Sequence, residues 1–136
     1  NGITIRIRMP FCDIFHDRSY LTKIHKYDNL IQAVNSKTYI PDLVDFIELL
    51  VEEGRTGTDT VHFCNPEPLD TGGVIDLMRS FEPENLNWKF VEFETLNCKA
   101  NRSNCILDST KVKEEYSFML PNEEEAFKKA LAAITA

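Results

Sequence analysis

Apolar and polar residues alternate with a period of two at the start of the chain. Ile3, Ile5, Ile7 and Met9 interleave with Thr4, Arg6 and Arg8. That pattern predicts a strand over residues 3–8, running toward Met9 and stopped by Pro10. Asp17 or Ser19 then opens a short helix to about Lys26, with Tyr20, Leu21 and Ile24 on its buried side. Residues 30–34 read as a strand, Asn35-Ser36-Lys37 as a turn and 38–40 as a second short strand. Pro41-Asp42 begins the clearest helix, 42–52. Its Leu43, Phe46, Ile47, Leu50 and Val51 recur at helical spacing on one face, and Gly54 ends it. Residues 61–64 form a strand before the Asn65-Pro66 turn. Asp70 caps a helix over 71–80 whose apolar residues are Val74, Ile75, Leu77 and Met78. Residues 88–93 read as extended and 94–98 as a short helix. Asp108 caps a helix over 109–115. A last helix, 123–133, starts at Asn122 with Glu125 at capping-box spacing and a stripe of Phe127, Ala130, Leu131 and Ile134. Helices mixed with short strands predict an α/β or α+β domain.

The 136 residues suit a single domain, 1–136, and the 43% hydrophobic and 27% charged content is that of an ordinary globular protein. A formal net charge of −7 argues against non-specific nucleic-acid binding, which needs basic surface. It leaves room for a small anion held by a few basic groups. Cys12, Cys64, Cys98 and Cys105 form no C-x-x-C pair, and His16, His25 and His62 have no ligand spacing, so no metal site is expected. Cys64 and Cys105 read as small core residues and His62 as a structural strand residue. The cysteine usage predicts a reducing, cytoplasmic environment. No apolar run has the length to span a bilayer, so no membrane partner is expected. The chain opens on Asn1 and enters a strand at once, which predicts a piece of a longer protein or a removed tag.

The richest run for chemistry is Lys99-Ala100-Asn101-Arg102-Ser103-Asn104-Cys105-Ile106-Leu107-Asp108. Arg102, Ser103 and Asn104 offer a guanidinium fork, a hydroxyl and an amide, a set suited to a phosphate or a base edge. Ile106 and Leu107 would anchor the loop. A polar loop before a capped helix accounts for the same residues.

This run resembles the "A-x-R-S-N-x-x-L-D-x-x-K" segment of nucleotide-sugar reductases and epimerases of the extended short-chain dehydrogenase class. The dTDP-4-dehydrorhamnose reductase family, with its bifunctional 3,5-epimerase/4-reductase branch, is the nearest likeness. Arg6-Ile7-Arg8-Met9-Pro10 resembles that family's "R-I-R-M-P", Tyr20-Leu21-Thr22-Lys23-Ile24 its "F-I-T-K-I", Asn35-Ser36-Lys37-Thr38 its "N-S-M-T" and Phe63-Cys64-Asn65-Pro66 its "F-T-N-P". The pieces follow the family's order from Ile3 to about Val112, and Leu86-Asn87-Trp88 stands where the family often has an aromatic. Departures are Glu67 where the family has Gly after Asn-Pro, no Glu to complete the cap at Asp70, and Ser19-Tyr20 in place of Asn-Phe.

The resemblance implies a C-terminal portion of an extended short-chain dehydrogenase (Rossmann-type) fold without its dinucleotide-binding half. Residues 1–10 would then be the last part of the Rossmann-type domain. It implies NADP or NAD in the full-length enzyme and none in this chain. The five glycines give no G-x-x-G-x-x-G after a strand, and no Tyr has a Lys four residues on. The implied substrate is a 4-keto-6-deoxyhexose on dTDP or UDP. The implied partners are a Rossmann-type domain, in cis or in trans, and a second copy in a homodimer. Implied substrate-binding residues are Arg8, Met9 and Pro10 at a strand end, Ser19, Tyr20 and Lys23 at a helix start, Asn35, Ser36 and Thr38 in the turn, and Arg102 with Asn104. Plain alternatives stand beside each group: a solvated strand-end Arg, a half-buried Tyr, a surface Lys, a simple turn and a surface Arg. The rival to an enzyme portion is a non-catalytic module that binds a nucleotide sugar or another protein.

Overall fold

The structure, a computed structural model, describes residues 2–26, 29–82, 89–91 and 104–136. Strand β1 spans Ile3–Arg6, shorter than the alternation predicts. Its end has a local cause: Met9 sits at φ 38, which swings the chain out of the ladder. Pro10 does not simply stop the strand. With Phe11 it forms β2 (Pro10–Phe11), pairing in parallel with β4 (Thr38–Tyr39). Helix α1 is Tyr20–Lys26. Strand β3 (Asn29–Ile31) is shorter than 30–34, and Val34 only bridges Asp70.

Ile40 is not in a strand. It opens α2 (Ile40–Glu52), with Pro41 in the first turn, where its missing N–H costs nothing. Strand β5 (Asp59–His62) pairs in parallel with β1, two residues earlier than predicted. Phe63 still donates its N–H to Arg6 O at 2.8 Å, so the pairing runs one bond past the strand. Helix α3 is Thr71–Phe81, capped as predicted by Asp70, which accepts from the Gly73 N–H. Strand β6 (Lys89–Val91) lies parallel to β3, within the predicted 88–93, while 94–98 falls outside the described residues. Helix α4 is Thr110–Tyr116, one residue later than predicted. Asp108 accepts the Thr110 N–H at 2.9 Å, and Ser109, the residue at the cap, turns its hydroxyl to Cys64 O instead. Helix α5 is Glu123–Ile134, capped by Asn122 on the Glu125 N–H.

Two apolar clusters hold these elements. The first gathers α1, α3 and α5 over β2 and β4, centred on Phe11, which stacks on Phe127 with ring centroids 4.2 Å apart and on Tyr39 at 5.2 Å. The second packs α2 and α4 on β5 through Phe46, Leu50, Val61, Phe63, Val112 and Tyr116. The α2 face is only half used. Phe46 and Leu50 are buried, but Ile47 is 42% and Val51 75% exposed, against the single buried stripe that the spacing predicts. Ile106 is also exposed, while Leu107 beside it is half-buried, and Cys105 is only half-buried, whereas Cys64 is buried. No helix among the described residues is long and apolar enough to cross a membrane.

Candidate functional site

The chain leaves β1 at Arg6 and turns at Met9, which brings Arg8 over the Asn35–Thr38 turn. Arg8 donates its backbone N–H to Thr38 Oγ1 at 3.3 Å and Nη2 to Asn35 Oδ1 at 3.1 Å. Asn35 Oδ1 also accepts the Cys105 N–H at 2.9 Å. Around that shared oxygen the 34–36 and 104–107 segments pair. Ser36 donates its N–H to Cys105 O at 2.9 Å, Leu107 donates to Ser36 Oγ at 2.8 Å, and Val34 donates to Asn104 Oδ1 at 3.0 Å. Arg8, Asn35, Ser36, Thr38 and Asn104 are thus brought together from positions up to 96 residues apart by number. Thr38 donates onward to Phe63 O at 2.7 Å, which ties the turn to the end of β5. Arg8 Nε is buried and has no hydrogen-bond partner among the described residues. A buried unpaired guanidinium N–H is costly and suits an anionic acceptor.

Ser19, just before α1, is held by the segment that precedes the helix. Ser19 is buried, its hydroxyl accepting from Cys12 N at 3.3 Å and its N–H given to His16 O at 2.8 Å. Tyr20 is half-buried, edge-on to Phe127, and Lys23 is exposed. Pro10 pairs with Thr38 in the β2–β4 ladder, beside the junction. Arg102 and Ser103 lie outside the described residues.

Beneath the turn is a feature the sequence reading missed. Lys37 and Glu123 are 2% and 0% exposed. Lys37 Nζ lies 3.3 and 3.4 Å from the two Glu123 carboxylate oxygens. It also donates to Asn35 O at 2.8 Å and Leu69 O at 3.1 Å, over the rings of Tyr20 and Phe127. Burial pushes the Glu123 carboxyl up to about 7, against the pull of Lys37, and burial likewise lowers Lys37. Both directions say that desolvation outweighs the attraction within the pair. The available signal was Lys37 itself, which stands where the resembling motif carries Met. A second buried carboxylate, Asp42, accepts from Asn65 Nδ2 at 2.8 Å, and burial raises it too. Cys64 is held as a thiol by burial.

The glycines do not form a dinucleotide cradle. At the start of α3 the Gly73 N–H is taken by Asp70 at 2.7 Å and the Gly72 N–H by Gln32 at 2.9 Å. The Asp70 carboxylate there would repel a pyrophosphate. Gly54 and Gly57 follow a helix, with positive φ in an exposed loop. Among the described residues no cluster of His, Cys, Asp and Glu could hold a metal ion.

No family model matches the chain. A bifunctional dTDP-4-dehydrorhamnose 3,5-epimerase/dTDP-4-dehydrorhamnose reductase of Arabidopsis thaliana is 28% identical over 131 residues, 94% of this chain and 43% of that protein. The UDP-rhamnose synthase of Acanthamoeba polyphaga mimivirus, a solved structure, superposes with a TM-score of 0.84 at 26% identity, covering 96% of this chain and 45% of that one. A Bacillus anthracis dTDP-4-dehydrorhamnose reductase, solved with NADP, shares the fold at a TM-score of 0.75 and 16% identity, over 96% of this chain and 48% of that one. The chain therefore spans under half the length of these proteins. The predicted fold class, the C-terminal portion of an extended short-chain dehydrogenase, agrees with these superpositions. The chain is homologous to the C-terminal part of the dTDP-4-dehydrorhamnose reductase/epimerase enzymes.

Proposed function

We propose that this chain is the substrate-binding portion of a nucleotide-sugar reductase/epimerase, one that reduces a 4-keto-6-deoxyhexose carried on UDP or dTDP. The observation that carries the reading is the junction at Asn35. There Arg8, two residues past the end of β1 and with a buried Nε that has no partner among the described residues, meets the turn and the segment containing Asn104. The β1 end is the edge where open α/β folds place their ligands. Arg8, Asn35, Ser36, Thr38 and Asn104 form the centre of the proposed site, with Met9 and Pro10 beside it. Arg102 supplies the fork for the diphosphate. Ser19, just before α1, and Tyr20 and Lys23 on it are its outer residues.

The reducing cofactor, NADP or NAD, belongs in this reading to a Rossmann-type domain outside the chain. Two features favour such a domain as the partner. Strand β1 is paired on one edge only among the described residues, and isolated two-stranded parallel sheets are rarely stable alone. Ile47 and Val51 are apolar and exposed on α2. A homodimer and a cytoplasmic setting complete the proposal.

The test joins the chain to its natural upstream sequence and follows NAD(P)H oxidation with UDP- and dTDP-4-keto-6-deoxyhexoses. Reduction of either supports the reading. Nucleotide-sugar binding without turnover, in a polypeptide lacking a glycine-rich βα turn, would replace it with a non-catalytic module.

A further inference from the structure

Lys37 is buried in the middle of the proposed site's turn, yet it faces the domain interior. Its ammonium reaches three elements at once: Asn35 O in the turn, Leu69 O before α3, and the Glu123 carboxylate at the first residue of α5. Glu123 in turn accepts the Leu69 N–H at 2.5 Å and gives its own N–H to Pro66 O at 2.8 Å. Asn35 is therefore held at both ends. Its side-chain oxygen takes Arg8 and Cys105, and its carbonyl takes Lys37. A buried ion pair of this kind adds little net stability over apolar residues of similar volume. What it does add is direction. The ammonium must meet a carboxylate and two carbonyls, so it fixes the position of the Asn35 peptide relative to α5 in a way that a Met side chain cannot.

We propose that Lys37 and Glu123 are a positioning pair, through which the start of helix α5 sets the Asn35 side chain for the substrate. The pair touches no substrate; it acts through Asn35. The assignment of Asn35 to a substrate site rests on the function proposed above, whereas the mechanical link from Lys37 to Asn35 does not.

The experiment uses the full-length polypeptide that carries this chain and the double variant Lys37→Met/Glu123→Leu, in which no charge is left buried alone. Two readouts are taken: hydrogen exchange at single amides, and the dissociation constants of UDP and dTDP. The pair's removal is expected to speed exchange at Ser36 and Leu107, whose amides form the junction, by tenfold or more. Exchange at Val61 in β5 should stay as in wild type. Affinity for the nucleotide that wild type binds should fall about tenfold. Lys37→Gln/Glu123→Gln, which keeps a neutral hydrogen bond across the gap, should restore most of the protection. The proposal is overturned if the folded Met/Leu variant keeps wild-type protection at Ser36 and Leu107, or if Val61 loses protection equally. It is also overturned if neither variant folds, for then the pair is structural only. Wild type that binds neither UDP nor dTDP would sink the proposed function, and the exchange data would still decide the positioning link.

Discussion

Arg8 and Asn35 meet through a 3.1 Å hydrogen bond from Nη2 to Oδ1, and the same oxygen takes the Cys105 N–H at 2.9 Å. One side chain thus joins the end of β1, the turn before β4 and the segment before α4. Asn35→Ala removes an acceptor from a charged donor and from a half-buried backbone donor at once. It should cost on the order of 1.5–3 kcal/mol, read as a lower urea midpoint with unchanged slope. Asn35→Asp keeps an oxygen in place and should lose much less. Equal losses for the two variants would mean that the shared oxygen is not what holds the junction.

Glu67 stands at φ 59, in the left-handed region, at the position where the resembling family carries Gly. A side chain there costs about 1–2 kcal/mol. Its carboxylate accepts from Asn122 Nδ2 at 3.1 Å, an exposed contact that offsets part of the strain. Glu67→Gly should raise stability by about 0.5–1 kcal/mol after the extra chain entropy of glycine, and Glu67→Val should lower it by more than that. Thermal unfolding of the three proteins checks the order Gly, Glu, Val.

Much of the fold is legible in the sequence because helices carry their own signals. Asp70 and Asn122 sit at caps that bond as their spacing predicts, and the α3 and α5 stripes are buried except for Leu77 and Ile134, which are half-buried against the core. Strand limits are less legible. Period-two alternation continues through Arg8, but nothing local reveals that Met9 takes a positive φ or that Pro10 pairs with Thr38. The α2 periodicity marks a helix without revealing how much of its apolar face is covered within the chain. The site is half legible. A motif points to Asn35 and Asn104 separately, but only the fold brings them to one junction. The Lys37–Glu123 pair spans 86 positions, and no local pattern announces it.

Ile47 and Val51 expose apolar surface on α2 while Phe46 and Leu50 fill the core behind it. In the proposed enzyme that surface is covered by the Rossmann-type domain. Ile47→Lys/Val51→Lys should leave the chain's own stability within about 0.5 kcal/mol, as for other exposed positions. In the longer polypeptide it should lower the melting temperature by several degrees and split one unfolding transition into two. A single unshifted transition by calorimetry would place the domain contact elsewhere.

Arg102 carries the planar fork that fits a diphosphate, within the run Arg102-Ser103-Asn104. A charge-assisted contact of that kind is worth on the order of 1.5–3 kcal/mol. If the proposed function holds, Arg102→Ala in the longer polypeptide should therefore raise the KM for the nucleotide sugar roughly ten- to a hundredfold. Arg102→Lys keeps the charge, loses the fork and should recover only part. An unchanged KM for Arg102→Ala would remove this residue from the site.

The buried Glu123 sets a pH dependence with a definite sign. Burial raises its carboxyl from an ordinary 4.5 to about 7 in the folded protein. A folded-state value above the unfolded one means that folding favours the protonated acid. The contribution is fully present below about 4.5 and is lost as pH rises through about 7. Burial of Asp42 shifts that group the same way and adds to the trend. Burial lowers Lys37 from its ordinary 10.5, and a lowered amine contributes with the opposite sign, since the folded protein gives up that proton more readily. Stability should therefore fall between pH 5 and pH 8 by a Glu123 contribution on the order of 3 kcal/mol, whereas carboxylates held low, such as Asp59 at about 2, act below this window. Glu123→Gln cannot titrate, so its urea midpoint should change less over the same range. The difference between the two curves isolates the group. A Glu123→Gln curve that runs parallel to wild type from pH 5 to pH 8 would show that Glu123 stays ionised throughout, and that Lys37 compensates its burial more fully than the geometry implies.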